Sequence, residues 1–304
     1  MLNNHGSWHN VACGGEGAAM GEKIALVTDS SCDLPTEFIK KHGIHVLPLR
    51  MIYGCREYRD LVDINPQEVY DRMPAEVPTT SQPSIGEVRN LLHQLREEGI
   101  SRVLAIHISS GLSGTFDTVC SISREFKNLD VKVIDSRTLS MGLGFMVREA
   151  AHGIAQGLSL SSITDKVRSL HQGTRLYYVL DTLEYLRRGG RIGKVASAVG
   201  GMLNIKPIIS VDEEGKYYAR CKVRGRKKSI DKMLELAEEF IRGRRVVAAV
   251  MHGGVPEEGE ALRKRVASLQ RGNIAELIFG QISPVLGVHT GPGLLGICLC
   301  ETST

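Results

Sequence analysis

The sequence has few aromatic residues and no long apolar run. Phe and Trp occur 6 times and once in 304 residues, and 42% of the chain is hydrophobic, so the core must consist mainly of aliphatic side chains. No apolar run reaches the roughly 18 residues that a membrane-spanning helix needs. Residues 1–22 also lack the continuous apolar segment of a secretory signal, and we expect them to form a disordered tail.

The sequence also lacks paired cysteines and a large excess of charge. Its 7 cysteines include no CxxC pair. Because metal sites usually need paired ligands at short spacing, we expect no metal, and reduced thiols in a cytoplasmic protein. The net charge of +4 is small. Proteins that bind nucleic acid usually concentrate far more positive charge on one face, so we expect no nucleic-acid partner.

Strand and helix patterns alternate through the first half of the chain. Residues 24–30 and 45–53 each fit one strand, and such alternation with helices favours parallel βαβ units. Later, the turn at residues 213–215 and the closing strands indicate a mixed sheet. We therefore predict an α/β fold of two domains, with a parallel sheet in residues 23–173 and a mixed sheet in residues 174–304.

Small hydroxyl residues follow the predicted strands, at the edge where open α/β sheets bind their ligands. They lie at residues 28–31, 109–115 and 135–136, and a further hydroxyl segment at residues 79–83 precedes the helix predicted to begin after Ser84. Hydroxyls and free helix N-terminal amides donate hydrogen bonds to anionic oxygens, but hydroxyls are poor general bases. The pattern favours a carboxylate or phosphate site over a hydrolase. For any one loop, Ser and Thr are equally ordinary turn and helix-cap residues.

Common enzyme motifs are absent or out of context. The segment at residues 111–115 is not G-x-S-x-G, and no Walker A loop or HExxH occurs. A G-x-G-x-x-G spacing does occur at Gly291, Gly293 and Gly296, but it leads into a predicted strand and opens no helix. The sequence therefore indicates neither a common nucleotide site nor a zinc protease.

Two basic segments and one histidine remain. Residues 183–193 carry arginines around paired glycines, and residues 220–228 hold six cations in nine positions. Each segment is either a solvated face or a docking edge for a phosphate or an acidic partner. His289 lies in a Gly/Pro turn between two predicted strands, where a fixed backbone suits a positioned imidazole.

Eight short motifs occur in the order seen in the DegV family, which the chain resembles over about residues 23–304. They are VTDSSCDLP, TSQPS, SSGLSGT, VIDS, LEYLRRGGRIG, KPIISV, KVRG and HTGPG. The resemblance implies two α/β domains with one long-chain fatty acid bound between them, in a subunit without catalysis of its own. It further implies that a separate ATP-dependent kinase subunit converts the presented carboxyl group into acyl phosphate for phospholipid synthesis.

The resemblance also implies roles for individual residues. Thr80 and Ser110 match the hydroxyls that hold the carboxylate, and His289 matches the histidine beside it. Ser81 and Gly111, in the same two motifs, complete the expected carboxylate site. No cofactor is implied besides the fatty acid ligand.

Three arginines match the part of the family connected with the kinase. Arg224 resembles an arginine needed for phosphoryl transfer, and Arg188 and Arg191 match a basic loop. The resemblance is also compatible with transient contact with a membrane. Two alternatives stay open at this point: a self-sufficient small-molecule enzyme that uses His289, and a regulator that binds an anionic metabolite.

Overall fold

The computed structural model describes residues 23–73, 75–199, 204–269 and 272–302. The expected tail, residues 1–22, lies outside the described residues. The prediction of an α/β fold, with a parallel sheet in the first part and a mixed sheet in the second, is confirmed.

The first part of the chain contains two sheets and six α-helices within the described residues. In chain order, its elements are β1 (Ile24–Asp29), α1 (Thr36–Lys41), β2 (His45–Leu47), β3 (Arg50–Tyr53), β4 (Arg56–Arg59), α2 (Pro66–Arg72), β5 (Thr79–Ser81), α3 (Ile85–Glu97), β6 (Arg102–His107), α4 (Thr115–Ser123), β7 (Asp130–Asp135), α5 (Met141–Ala155) and α6 (Leu160–Leu170). A parallel sheet has the order β2-β1-β6-β7, and a small antiparallel sheet has the order β4-β3-β5.

The single strand predicted over residues 45–53 is wrong. The segment forms β2 in the parallel sheet and β3 in the antiparallel sheet, with Pro48 between them. Proline has no N–H to donate to a sheet, so pairing ends there and the chain changes direction. Residues 79–81, for which no strand was predicted, form β5, and β5 pairs with β3.

Two of the helices begin at a capping box. Asn65 caps α2 and Ser84 caps α3, each in a reciprocal capping box with the glutamate three residues later. This arrangement satisfies two of the backbone N–H groups that a helix start leaves unpaired. The cap on α3 fixes the direction of the chain directly after β5.

The second part of the chain forms one mixed sheet with the order β10-β9-β8-β13-β11-β12. Its elements are β8 (Thr174–Val179), α7 (Glu184–Arg188), α8 (Ala196–Val199), β9 (Ile208–Val211), β10 (Tyr217–Cys221), α9 (Arg226–Ile241), β11 (Val246–Gly253), α10 (Pro256–Ala267), β12 (Ile274–Gln281), α11 (Pro284–Thr290) and β13 (Leu294–Glu301). All described strands of this sheet follow residue 173, although a domain boundary at that residue stays a prediction.

Helix α11 was not expected from the sequence. His289 lies in its last turn rather than in a turn between two strands. The helix has 7 residues, too few for an amphipathic period, and it begins with Pro284 and ends where Gly291 adopts a φ of 72°. Glycine reaches this left-handed region without the steric penalty of a side chain.

The largest core cluster joins the two parts of the chain. Helix α5 supplies Met141, Leu143 and Phe145, which are buried between the parallel sheet and the mixed sheet. Leu176 of β8 and Leu294 of β13 belong to the same cluster. The interface between the two parts is therefore apolar, and the cavities described next lie in it.

Candidate functional site

A polar cavity of about 380 Å³ lies between the two parts of the chain. Its lining residues are Leu49, Thr80, Ser81, Gln82, Ile108, Leu112, Ser113, Gly114, Arg191, Tyr217, Val285, Leu286 and His289. Strand β5, the loop before α4 and helix α11 supply most of its polar groups. The cavity thus combines hydroxyls, an imidazole and a guanidinium at one place.

Thr80 and His289 are hydrogen-bonded across this cavity, with 2.7 Å between Oγ1 and Nε2. Burial, and secondarily the charge of Arg191, lower the pKa of His289 to about 4. The imidazole is therefore neutral at physiological pH. Its Nδ1 is buried and has no hydrogen-bond partner among the described residues.

Arg191 brings positive charge to the same cavity. Its Nε donates to the carbonyl oxygen of Leu112 at 3.2 Å, and its Nη1 donates to that of Gly189 at 2.6 Å. These bonds tie the side chain to the loop before α4 and to the end of α7. No ion pair joins Arg191 to an acidic side chain in the described part of the chain, so its charge is available to an anion.

Ser110 and Gly111 are not among the residues that line this cavity, and their expected contact with a carboxylate stays a prediction. The backbone N–H and hydroxyl of Ser110 donate to the carboxylate of Asp135, at 3.1 and 2.6 Å. Gly111 packs against the β9–β10 hairpin, where a Cβ atom would lie 2.9 Å from the carbonyl oxygen of Glu214. The hydroxyl that this loop brings to the cavity belongs to Ser113.

The motif alone could not show which serine lines the cavity, because Ser110 and Ser113 both lie in SSGLSGT. Ser81, which was expected at the site, does line the cavity, although its hydroxyl donates to the carbonyl oxygen of Gln82. Arg191, expected in a basic loop connected with the kinase, also lies at the cavity.

A second cavity, apolar and narrow at about 30 Å³, adjoins the polar one. Its lining residues are Leu139, Ser140, Leu176, Tyr178, Tyr217, Met251, Ile282, Leu286, Thr290, Leu294, Gly296 and Cys298. Tyr217 and Leu286 line both cavities. The hydroxyls of Ser140 and Thr290 already donate, to Asp33 and to the carbonyl oxygen of Leu286.

The two neighbouring cavities differ in chemistry, since one offers hydrogen-bond donors to an anion and the other is apolar. The hydroxyl loops of the sequence indicated an anion site, whereas an apolar site was implied only by the family resemblance and by no pattern of the residues. The residues that line the second cavity come from six separate segments, and only the folded chain brings them together.

Arg188 and Arg224 lie away from both cavities. Arg188 is exposed, and its Nε donates to the carboxylate of Glu184 at 3.1 Å. Arg224 is also exposed, and its backbone forms an isolated bridge with Ile205. Among the described residues, no hydrogen bond or ion pair engages the Arg224 side chain.

Residues 23–73, 75–199, 204–269 and 272–302 contain neither a candidate metal centre nor a candidate membrane-spanning helix. Those residues contain no group of three His, Cys, Asp or Glu side chains that could hold a metal ion. Their helices include none that is both long and apolar enough to cross a membrane.

Comparison with known sequences identifies relatives along nearly the whole chain. The sequence model described as an uncharacterised protein of the DegV family matches residues 23–302. A DegV domain-containing protein of Clostridium acetobutylicum is 45% identical over 278 residues, which cover 91% of this chain and 99% of that protein. Protein DegV of Bacillus subtilis is 33% identical over 281 residues, which cover 91% and 99% of the two chains.

Solved structures agree with this relationship. DegV of Bacillus subtilis, a fatty acid binding protein, matches with a TM-score of 0.85 and 33% identity, over 92% of this chain and 100% of that chain. A stearic acid-binding protein from Eubacterium ventriosum matches with a TM-score of 0.84 and 28% identity, over 92% and 98% of the two chains. The chain described here belongs to the DegV family.

Proposed function

We propose that the protein binds one long-chain fatty acid between its two parts, with the carboxylate in the polar cavity and the acyl chain in the apolar one. The observation that carries this proposal is that the polar cavity and the apolar cavity share two lining residues, Tyr217 and Leu286. The fatty acid binding of the related DegV structures supports it. Because the apolar cavity is narrow, the lining side chains move apart to admit the chain.

Thr80 donates the principal hydrogen bond to the carboxylate, and His289 sets the direction of that bond. A neutral imidazole that carries its proton on Nε2 donates to Oγ1 of Thr80 and leaves the threonine O–H free for the ligand. The hydroxyl of Ser113 and the guanidinium of Arg191 supply further donors, and hydrogen bonds to a charged group are the stronger ones.

The geometry favours binding over catalysis by this chain alone. A nucleophile, a base and a third orienting group have to be in contact. Ser110 is bonded to Asp135 rather than to His289, and the Nδ1 of His289 has no orienting partner among the described side chains. A pKa of about 4 also makes this imidazole a weak base at neutral pH. The apolar cavity favours a lipid over a small polar metabolite.

Removing either cavity hydroxyl is expected to weaken oleate binding by about 10- to 150-fold, because a hydrogen bond to a charged group contributes roughly 1.5–3 kcal/mol. The variants are Thr80→Val and Ser113→Ala, and affinity is measured by calorimetry together with native mass spectrometry. Ser110→Ala serves as the matched control, since it removes a bonded hydroxyl outside the cavity. Equal losses in all three variants would contradict the assignment, and wild-type protein without affinity for oleate would overturn the proposed function.

We further propose that the bound carboxyl group is presented to a separate ATP-dependent kinase subunit in the cytoplasm, which forms the acyl phosphate used in phospholipid synthesis. The exposed and unengaged side chain of Arg224 supports this proposal, since a guanidinium in that state can contact a partner or a phosphate. Arg188, paired only on the surface, lies on the same basic loop as Arg191 and contributes to docking.

Arg224→Ala is expected to reduce acyl phosphate formation at least tenfold in the presence of the kinase subunit and ATP, while oleate affinity stays unchanged. Radiolabelled phosphate transfer and calorimetry measure the two properties separately. Lys222→Ala, at an exposed position two residues earlier, is the control for loss of positive charge. A parallel loss of oleate binding in Arg224→Ala would place this arginine in the lipid site instead.

A further inference from the structure

Two buried aspartates from the first part of the chain contact the start of helix α11. Oδ1 of Asp33 accepts a hydrogen bond from the backbone N–H of Ser283 at 2.8 Å, and Oδ1 of Asp60 accepts one from that of Val285 at 3.1 Å. Asp33 follows β1, and Asp60 follows β4. Both therefore reach across the interface between the two parts of the chain.

The remaining oxygen of each carboxyl group is also satisfied. Oδ2 of Asp33 accepts from the hydroxyl of Ser140 at 2.5 Å, and Oδ2 of Asp60 accepts from that of Ser30 at 2.6 Å. The first backbone N–H groups of a helix have no partner within the helix. If α11 moved away, Oδ1 of each buried carboxyl group and the backbone N–H bonded to it would lose their partners together, which is costly.

Helix α11 lines both ligand cavities. Leu286 and Thr290 border the apolar cavity, and Val285, Leu286 and His289 border the polar one. A helix of seven residues is a rigid rod of roughly 10 Å, so fixing its start fixes the imidazole near its end. The 2.7 Å contact between Thr80 and His289 consequently depends on the position of α11 against the first part of the chain.

We propose that Asp33 and Asp60 are positioning residues for fatty acid binding, which hold helix α11 so that His289 meets Thr80 and the two cavities stay closed around the ligand. This inference rests on the function proposed above. Neither aspartate lines the polar or the apolar cavity, so neither is assigned a direct contact with the ligand.

The contact is sensitive to charge. Burial raises the pKa of Asp33 to about 7 and that of Asp60 to about 8. The titratable groups that face or adjoin the pair are Asp29, Cys32, Tyr70, His107, Tyr217 and Cys298. This set contains no Lys or Arg, so a second negative charge among these groups is poorly compensated.

The raised pKa values of Asp33 and Asp60 determine whether the folded state becomes more or less stable as the pH rises. A carboxyl group whose pKa is raised on folding binds more protons in the folded state than in the unfolded state. Its stabilising effect is complete at low pH and declines as the pH rises through neutrality to about 8. Because ionisation places two poorly compensated charges at the buried start of α11, the contact of the helix with Asp33 and Asp60 is expected to loosen, and ligand to leave faster, as the pH rises from 6 to 9.

The test measures oleate release into acceptor vesicles by stopped flow between pH 6 and pH 9. In the wild type, the release rate is expected to rise at least threefold over this range. Asp33→Asn/Asp60→Asn imitates the neutral carboxyl groups and is expected to release slowly at every pH. Asp60→Ala, which removes both acceptors, is expected to release at least tenfold faster at pH 6, and Asp60→Asn restores the wild-type rate.

Asp63→Asn is the matched control, because Asp63 pairs with Arg59 on the surface and has a pKa lowered to about 2 by that arginine. It is expected to keep the wild-type profile. A wild-type rate that does not change with pH, or a double Asn variant with the wild-type profile, would overturn the inference. If Asp60→Ala does not fold, the double Asn variant and the pH profile decide the question.

A second readout is independent of lipid. The ring nitrogen signals of His289 in ¹⁵N-labelled protein, assigned with His289→Gln, are expected to shift in Asp60→Ala and not in Asp63→Asn. Wild-type protein that does not bind oleate would refute the proposed function, and this comparison would then decide the positioning role alone. An unchanged His289 signal in folded Asp60→Ala would refute that role.

Discussion

Gly296→Leu is expected to lower the affinity for stearate about 100-fold and to leave the affinity for laurate nearly unchanged. Gly296 lies on β13 and lines the apolar cavity together with Leu294 and Cys298. A Cβ atom on Gly296 would lie 3.5 Å from the Cβ of Tyr178, which is ordinary van der Waals contact. The backbone therefore tolerates a side chain there, and that side chain extends into the space that the acyl chain requires.

The size of the effect follows from the length of acyl chain excluded. Each buried methylene contributes roughly 0.8 kcal/mol, so loss of about four methylenes costs about 3 kcal/mol, or roughly 100-fold in affinity. A shorter acid that ends before Gly296 loses much less. Calorimetry with both acids gives the comparison, and Gly296→Ala is the control for the change of backbone preference alone. Equal losses for stearate and laurate would contradict a chain-length effect.

Most of the fold could be predicted because its signals are local. The buried strand β1, the capping box at Ser84 and the hairpin around Gly215 each depend on a few neighbouring residues. Helix α11 could not be predicted in this way, because it is short and its start is held by Asp33 and Asp60 from distant segments. The break at Pro48 was visible in the sequence, but only the pairing of β3 with β5 shows that two sheets result.

The candidate site, like the fold, could be predicted from the sequence only in part. Thr80 and His289 belong to motifs that the sequence singles out, yet their 2.7 Å contact joins residues more than 200 positions apart. Ser113 rather than Ser110 lines the cavity because the loop turns Ser110 toward Asp135, and the motif alone does not determine that direction. The basic loop around Arg191 is evident in the sequence, but the sequence does not show that this residue lines the cavity.

Gly189 has no side chain to contact a ligand, yet it determines where the His289 ring can lie. Its φ and ψ of −74° and −5° are open to any residue, so no left-handed backbone requires glycine there. A Cβ atom would nevertheless lie 2.0 Å from Nδ1 of His289 and 2.7 Å from Cε1. The absence of a side chain at the end of α7 is what allows the imidazole to occupy its place beside Thr80.

Gly189→Ala is therefore expected to displace the His289 ring, break its contact with Thr80 and lower oleate affinity at least tenfold. In a His289→Ala background the same substitution meets no ring and is expected to have little further effect. The coupling free energy between the two substitutions is thus expected to nearly equal the loss of binding free energy in Gly189→Ala alone. Gly190→Ala is the control, because Gly190 has a φ of 70° and no atom within 4 Å of its Cβ position, so alanine there strains the backbone without touching the ring. Additive losses of affinity in the double variant would mean that Gly189 acts through the end of α7 and not through His289. Thermal unfolding of the wild type and of every variant separates loss of the site from loss of the fold.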